Sequence, residues 1–347
     1  MRNKIVSVFL AVMFLSLVLT GFSFAQSKSK PIELRFNYSM PAKMPPANGW
    51  EWFGRELERR TRGRVKVTYF PHGALFKIRQ AVENIIAGTA DITNISVRTF
   101  ASRYPLLSVT LLPTIMWPNT VEGTVAGGRA IMKLIEEFPE VQRELRDFKV
   151  LWVTQLEAYH LISKKPVYRP SDLKGMKIGA GGIQGKFVTQ QGGSGVALVP
   201  PKSYMSLKTG VVDGMIMSWN AMGIYKLWEV AGYVSEVTMG RVPLPIVMNK
   251  ESWNSLPPDI QKLVLQIGDE SFPMSVKGMY QGGVKGKKLC IQNGVKVFTP
   301  TGEQEAVWKE AFKPLEAQWL AAREKQGIKA APAVLNRFKE MAAASWK

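Results

Sequence analysis

The chain has 347 residues, 46 Lys and Arg against 27 Asp and Glu, a formal net charge of +19, and one cysteine. That length suits a leader followed by two domains of ordinary size, and a lone Cys290 excludes an internal disulfide. The basic residues are scattered, with no pure run longer than two, so the charge reads as a basic solvated surface and not as a nucleic-acid tract.

Arg2 and Lys4 precede an apolar run from Ile5 to Gly21, and Ser23-Phe24-Ala25 has the small-x-small form of a cleavage site. The reading is a secretory signal over 1–25 cut after Ala25, with an uncleaved anchor helix as the alternative. No cysteine follows the run, which argues against a lipid anchor, and no other segment reaches spanning length. The remaining chain, with 44 basic and 27 acidic residues, is expected to be soluble and periplasmic.

Residues 26–31 read as a leader to the fold. Ile32–Tyr38 alternates as a strand, Trp50–Thr61 is apolar at helical spacing, and Val65–Phe70 is a second strand closed by Pro71-His72-Gly73. A helix over Ile78–Ala87 stops at Gly88, and Asp91–Ile95 begins a strand. This β-α-β-α-β order predicts an α/β layer with a largely parallel sheet. Asp172–Gly182, DLKGMKIGAGG, reads as a turn, a short strand, then the small run Gly179-Ala180-Gly181-Gly182, where backbone can approach a ligand or another element. It is not a phosphate loop, since no G-x-x-x-x-G-K-S/T occurs and G-x-G-x-x-G breaks at Gln184.

Tyr204–Lys208 is helical, Gly210 caps it, and Val211–Met215 leads into a strand. The segments 86–91 and 208–213 thus share x-x-Gly-x-x-Asp, as a duplicated α/β architecture would. In such sheets ligands sit beyond the carboxyl ends of strands, and a cleft between two lobes is a natural site. From Pro257 the chain turns helical, over Asp259–Lys288, Gly302–Glu324 and Pro332–Lys347. Gly268, Gly278, Gly282 and Gly283 argue against one straight helix in the first of these.

Catalytic groupings are sparse. His72 and His160 lack metal-ligand spacing to another His, Cys or carboxylate, so neither a metal nor a cofactor is expected. His72 reads as an exposed turn residue and His160 as a core residue satisfying a hydrogen bond. Ser194 fails the G-x-S-x-G pattern at Val196, and Cys290 has no histidine near it in sequence. An exported enzyme using Ser194, His160 or Asp213 is therefore disfavoured. Among Trp52, Trp117, Trp152, Trp219, Trp228 and Trp253, Trp219 stands out, because it follows the strand Asp213–Met217 and has Asn220 beside it. An aromatic plate next to an amide suits a small organic ligand.

Asp172–Ile178 (DLKGMKI), Gly210–Gly214 (GVVDG) and Met248–Asp259 (MNKESWNSLPPD), with Gly63–Val67 and Pro71-His72-Gly73, resemble the periplasmic solute-binding subunits of tripartite ATP-independent periplasmic (TRAP) transporters. The resemblance covers nearly the whole chain after the signal. It implies a two-lobed periplasmic-binding-protein type II fold with crossing strands and a long connecting helix, closing on its ligand like a hinge. It further implies delivery of that ligand to a TRAP membrane permease driven by an ion gradient. By similarity, 32–153 and 239–278 form the first lobe, and 154–238 and 279–347 the second.

One departure bears on the ligand. Many family members follow the K-I of the DLKG motif with an arginine that clamps a carboxylate; here that position is Gly179, and a second family arginine is missing near Ala158 or Tyr159. The pocket implied is Asn37, Tyr38, Ser96, Gln155, Tyr159, Gly179, Trp219, Asn220 and Arg241. In it Trp219 would stack, Asn220 and Gln155 would bond polar groups, and the glycine run would leave room or donate backbone N–H groups. The ligand is then a small acid, or a neutral aromatic or polar compound, held without the usual clamp. Two alternatives stay open: an organic-anion binder using Arg241, and the same fold serving as a ligand sensor for a membrane partner.

Overall fold

The computed structural model describes residues 30–346 apart from Lys43, so the signal segment and its cleavage site lie outside the described residues. Two sheets organise the chain. The first runs β2-β1-β3-β10-β4, built from Ile32–Asn37 (β1), Val65–Phe70 (β2), Ile92–Asn94 (β3), Phe148–Gln155 (β4) and Pro243–Asn249 (β10). The second runs β11-β9-β5-β8-β6-β7, built from His160–Ser163 (β5), Lys177–Gly179 (β6), Ser194–Val196 (β7), Gly214–Met217 (β8), Tyr233–Ser235 (β9) and Lys296–Phe298 (β11). β1 is parallel to β2 and β3, as the alternating order requires, but β10 is antiparallel to β3 and β4, and β5 to β8 and β9. Each sheet is thus largely parallel, as expected, with one antiparallel strand where the chain passes between the sheets.

The two sheets repeat one plan. Phe36 pairs with Ile92 in the first, and Ile178 pairs with Gly214 in the second, so β1-β3 and β6-β8 correspond. The shared x-x-Gly-x-x-Asp is the seam of both. Asp91 donates its N–H to Arg35 O at 2.9 Å and accepts the Arg35 N–H on Oδ2 at 2.8 Å. Asp213 does the same with Lys177, at 2.7 and 2.8 Å. Gly88 and Gly210, at φ +69° and +76°, supply the left-handed turn that brings each aspartate back onto its sheet.

The long connecting helix is Pro258–Gln292, 35 residues without a break despite Pro273 and five glycines. Glycine costs helix stability, roughly 0.5–1 kcal/mol each relative to alanine, so the expectation of an interrupted helix was reasonable locally. Packing overrides it. A Cβ at Gly282 would strike Asn220 Oδ1, one at Gly283 would strike Glu157 Oε2, and one at Gly286 would strike the Trp219 carbonyl. These glycines line the face on which the short helix Trp219–Ile224 docks. The amino-terminal half buries Ile260, Val264, Ile267 and Phe272 in a core shared with Trp50, Phe53 and Trp152.

The C-terminal helices Glu303–Phe312, Pro314–Glu324 and Ala331–Ala344 start beside one sheet and finish beside the other. Trp308 Nε1 donates to Tyr168 O and Phe312 lies 4.6 Å from Phe187, both near the second sheet. Beyond Pro314, Trp319 Nε1 donates to Ser108 Oγ at 2.9 Å, Arg337 pairs with Glu137 at 2.7 Å, and Phe338 lies 5.8 Å from Trp117.

The glycine face predicts a sharp asymmetry. Gly286→Ala should lose about 1–3 kcal/mol of stability, because the clash is with backbone that cannot rotate away. Gly232→Ala, where a Cβ meets nothing within 4 Å, should stay within about 0.5 kcal/mol of the parent. Equal urea midpoints for the two variants would show that the close approach is dispensable.

Candidate functional site

A cavity of about 510 Å³ opens between the two sheets, where residues following their strand ends converge. From the first sheet come Ser39, Met40, Pro41, Met44 and Pro46 after β1, and Ser96, Arg98 and Thr99 after β3. The turn Pro71-His72-Gly73 adds His72 and Gly73, with Lys77 and Ile78 just beyond. The crossing segments contribute Leu156, Glu157 and Tyr159 after β4, and Val242 and Leu244 at β10. From the second sheet come Ser218, Asn220, Ala221 and Tyr225 after β8, with Val199, Pro200 and Pro201 beside them; Met279 comes from the long helix. The wall is mainly apolar with a few polar groups, the composition of a small-molecule site.

Three charged groups on the wall differ in how they are engaged. Lys77 Nζ donates to His72 O at 2.9 Å and Gly73 O at 3.0 Å, which holds the turn at the left-handed φ of +57° that His72 adopts. Arg98 donates from Nη1 to Gln184 Oε1 at 3.2 Å and stacks 5.4 Å from the centre of the Tyr159 ring. Glu157 is 8% exposed and accepts the Asn220 N–H at 3.1 Å. Burial pushes its carboxyl up from 4.5 to about 7, against the pull of Ser218, the Asn220 N–H and Arg241.

Behind the wall, Glu236 gathers Trp219 Nε1 at 2.9 Å, Lys287 Nζ at 2.6 Å and Thr299 Oγ1 at 2.8 Å. Burial raises the Glu236 carboxyl, but the Lys287 ammonium and the Thr299 hydroxyl outweigh it and hold the group below its ordinary range. His160 is buried, with Nδ1 3.1 Å from Val237 O, and burial keeps it neutral by lowering its proton affinity. That is the core role read for it from sequence. Cys290 is buried too, and its thiol is pushed up to about 11, which leaves it unreactive. Among the described residues no cluster of three His, Cys, Asp or Glu could hold a metal ion.

The model of the bacterial extracellular solute-binding proteins, family 7 (DctP), matches residues 36–325. The chain belongs to that family. It is 24% identical over 318 residues to the C4-dicarboxylate-binding periplasmic protein DctP of Rhodobacter capsulatus, covering 88% of this chain and 92% of that one. A TRAP periplasmic solute-binding protein from Desulfovibrio salexigens, crystallised as an open complex, superposes with a TM-score of 0.78 at 26% identity, covering 90% and 95% of the two chains. A TRAP solute-binding protein from Rhodoferax ferrireducens, solved with copurified benzoate, gives 0.82 at 20% identity over 91% and 98%. The two-lobed α/β fold expected from the sequence is thus the fold of this DctP-family protein, and no helix among the described residues is long and apolar enough to cross a membrane.

Of the pocket residues expected from the sequence, Ser96, Tyr159 and Asn220 line the cavity of this family-7 protein. The others stand outside its wall. Asn37 bonds Phe76 O and the Leu75 N–H, and the Tyr38 hydroxyl donates to Glu51 at 2.6 Å, so both brace the first sheet. Gln155 is buried, and Trp219, 5% exposed, has its indole turned to Glu236. Gly179 ends β6, where Met215 Sδ fills the space a side chain would need. Arg241 is 5% exposed and donates to Thr124 Oγ1 at 2.9 Å, and to Pro118 O and Asn119 Oδ1 at 3.3 Å; burial lowers its proton affinity to about 10.

Sequence reasoning passed over Arg98, Glu157, Lys77, Tyr225 and Met279. For Arg98 a signal existed. Counting seven residues on from the repeated aspartates reaches Arg98 in one half and Asn220 in the other.

Glu157 yields a pH test. Between about pH 4.5 and 7 the native carboxyl keeps a proton that the unfolded chain has released, so its contribution to stability falls as pH rises. Glu157→Gln keeps an acceptor for the Asn220 N–H and removes the titration. Relative to wild type, the variant should match at pH 5 and gain stability towards pH 8, by up to roughly 3 kcal/mol. A difference in thermal midpoint that is flat with pH would refute the assignment.

Proposed function

We propose that this protein is a periplasmic binding subunit, released by cleavage after Ala25, that captures a small organic acid between its lobes and hands it to a TRAP-type permease. The observation that carries the reading is a cavity walled from both sheets and from the segments that cross between them. A ligand touching both walls binds the closed arrangement better than the open one, which is what closure requires. The lobes would be 32–153 with 239–278, and 154–238 with 279–313, the segment 314–347 packing back against the first.

The wall chemistry points to the ligand's body. Apolar side chains make up most of it, methionines and prolines foremost, with tyrosines at 159 and 225, so an aromatic or otherwise apolar body fits better than a polyol. Relatives of this fold were solved with benzoate, 3-hydroxybenzoate, mandelate and orotic acid, and others with galacturonate or glucuronate. The present wall favours the first group. With glycine at 179, the family's usual carboxylate clamp has no place in this reading, and Arg241, bonded to Thr124 and the 118–119 backbone and side chain, is left out of it.

The test is a thermal-shift screen of the chain from Gln26 onward against aromatic acids, sugar acids and dicarboxylates. A true ligand at a hundred times its Kd should add about 2.7 kcal/mol of stability and raise Tm by several degrees. If no compound raises Tm, and mass spectrometry finds nothing released from the natively purified protein, the binding reading falls.

A further inference from the structure

We propose that Arg98 is the anion anchor of this cleft, entering from the first sheet, and that the ligand is a monocarboxylic acid with an apolar body. The inference rests on the reading of the cavity as the ligand site, and adds which residue holds the charge and which acids are excluded.

The duplicated frame places the residue. Because Phe36-Ile92 and Ile178-Gly214 are equivalent pairs, Asp91 corresponds to Asp213, Ser96 to Ser218, and Arg98 to Asn220. Both members of each of the last two pairs line the cavity. The two halves thus offer the same pair of positions to the ligand, and only the first half fills its outer position with a charge.

Arg98 is also a cation without a counter-ion. Among the described residues it forms no ion pair, and its one protein hydrogen bond is the 3.2 Å contact to Gln184. A half-buried guanidinium against an apolar wall, with four of its five N–H donors uncommitted, calls for an anion from outside the protein. The competing cations are less available. Lys77 Nζ has two of its three N–H groups on turn carbonyls, and Arg241, although its Nε has no partner, is buried off the cavity wall among Thr124, Pro118 and Asn119. On the second sheet, an arginine at 179 would displace Met215 from the core.

The guanidinium is held ready. Gln184 Nε2 donates to Met239 O at 2.9 Å, which fixes the amide with Oε1 towards Arg98, and Tyr159 supports the guanidinium plane. Orientation before binding lowers the entropy lost when the carboxylate arrives. Gln184 is therefore a positioning residue. Above about pH 7, where the Glu157 carboxyl on the same wall ionises, it selects against a second negative charge on the ligand, since like charges in a poorly solvated cavity repel strongly.

Calorimetric titration of the chain from Gln26 with benzoate, phenylacetate, succinate and benzamide tests this. Wild type should bind an aromatic acid at least tenfold tighter than benzamide or succinate. Arg98→Gln should weaken that acid roughly 10- to 100-fold with an unchanged ligand-free Tm, and Arg98→Lys should recover part of the loss. Gln184→Ala should narrow the acid-over-amide ratio, which a purely structural role would not. If Arg98→Gln, still folded, binds the acid as wild type does, the anchor is wrong and the binding reading survives. Tighter binding of succinate or benzamide overturns the ligand class. If none of the four binds, the compound released on denaturing the native protein decides: a dicarboxylate or a neutral compound overturns the proposal, and no compound at all overturns the binding reading beneath it.

Discussion

The approach of the long helix to the segment Trp219-Asn220 is the contact on which the rest depends. At Gly282, Gly283 and Gly286 the helix has no side chains to hold its neighbour off, so a carbonyl, an amide and a carboxylate come against its backbone. That closeness aims Asn220 at the cavity, seats Glu157 where water scarcely reaches it, and turns the Trp219 indole to the Glu236–Lys287 pair. The local loss of helix propensity is accepted for a docking distance that no other residue type permits.

Around this contact the molecule is two copies of one plan, joined by strands that each run against their sheet. The repeated aspartate is what makes each copy hold. By bonding both the N–H and the C=O of a residue on the neighbouring strand, it locks the start of one strand onto the strand beside it. Everything that follows the aspartate by a few residues is then delivered to the same place at the sheet's end. Charge-assisted bonds from a carboxylate to backbone amides make this seam stronger than an ordinary ladder pair.

Much of this was legible in the sequence, and the limits have physical causes. The early strands, the helix caps at Gly88 and Gly210, the duplicated aspartate and the family's motifs are all local patterns, and they located the fold. Ser96, Tyr159 and Asn220 were placed because they follow strand ends. Trp219 was not, because the partner that turns its ring inward, Glu236, lies 17 residues further along, and nothing in the local pattern reveals it. The glycines of the long helix misled for a similar reason: propensity sees the helix they weaken, not the neighbour they admit. Arg98 hid in a stretch without any motif of its own, seven residues beyond the repeat that ends at Asp91.

The equivalence of Arg98 and Asn220 has a consequence for how a solute enters. A cavity built from two like halves would, by shape alone, accept an elongated molecule either way round. Placing a cation at one of two matching positions and an amide at the other removes that degeneracy. The cleft acquires a polarity that the frame itself lacks, and the solute leaves with the heading it was given on arrival.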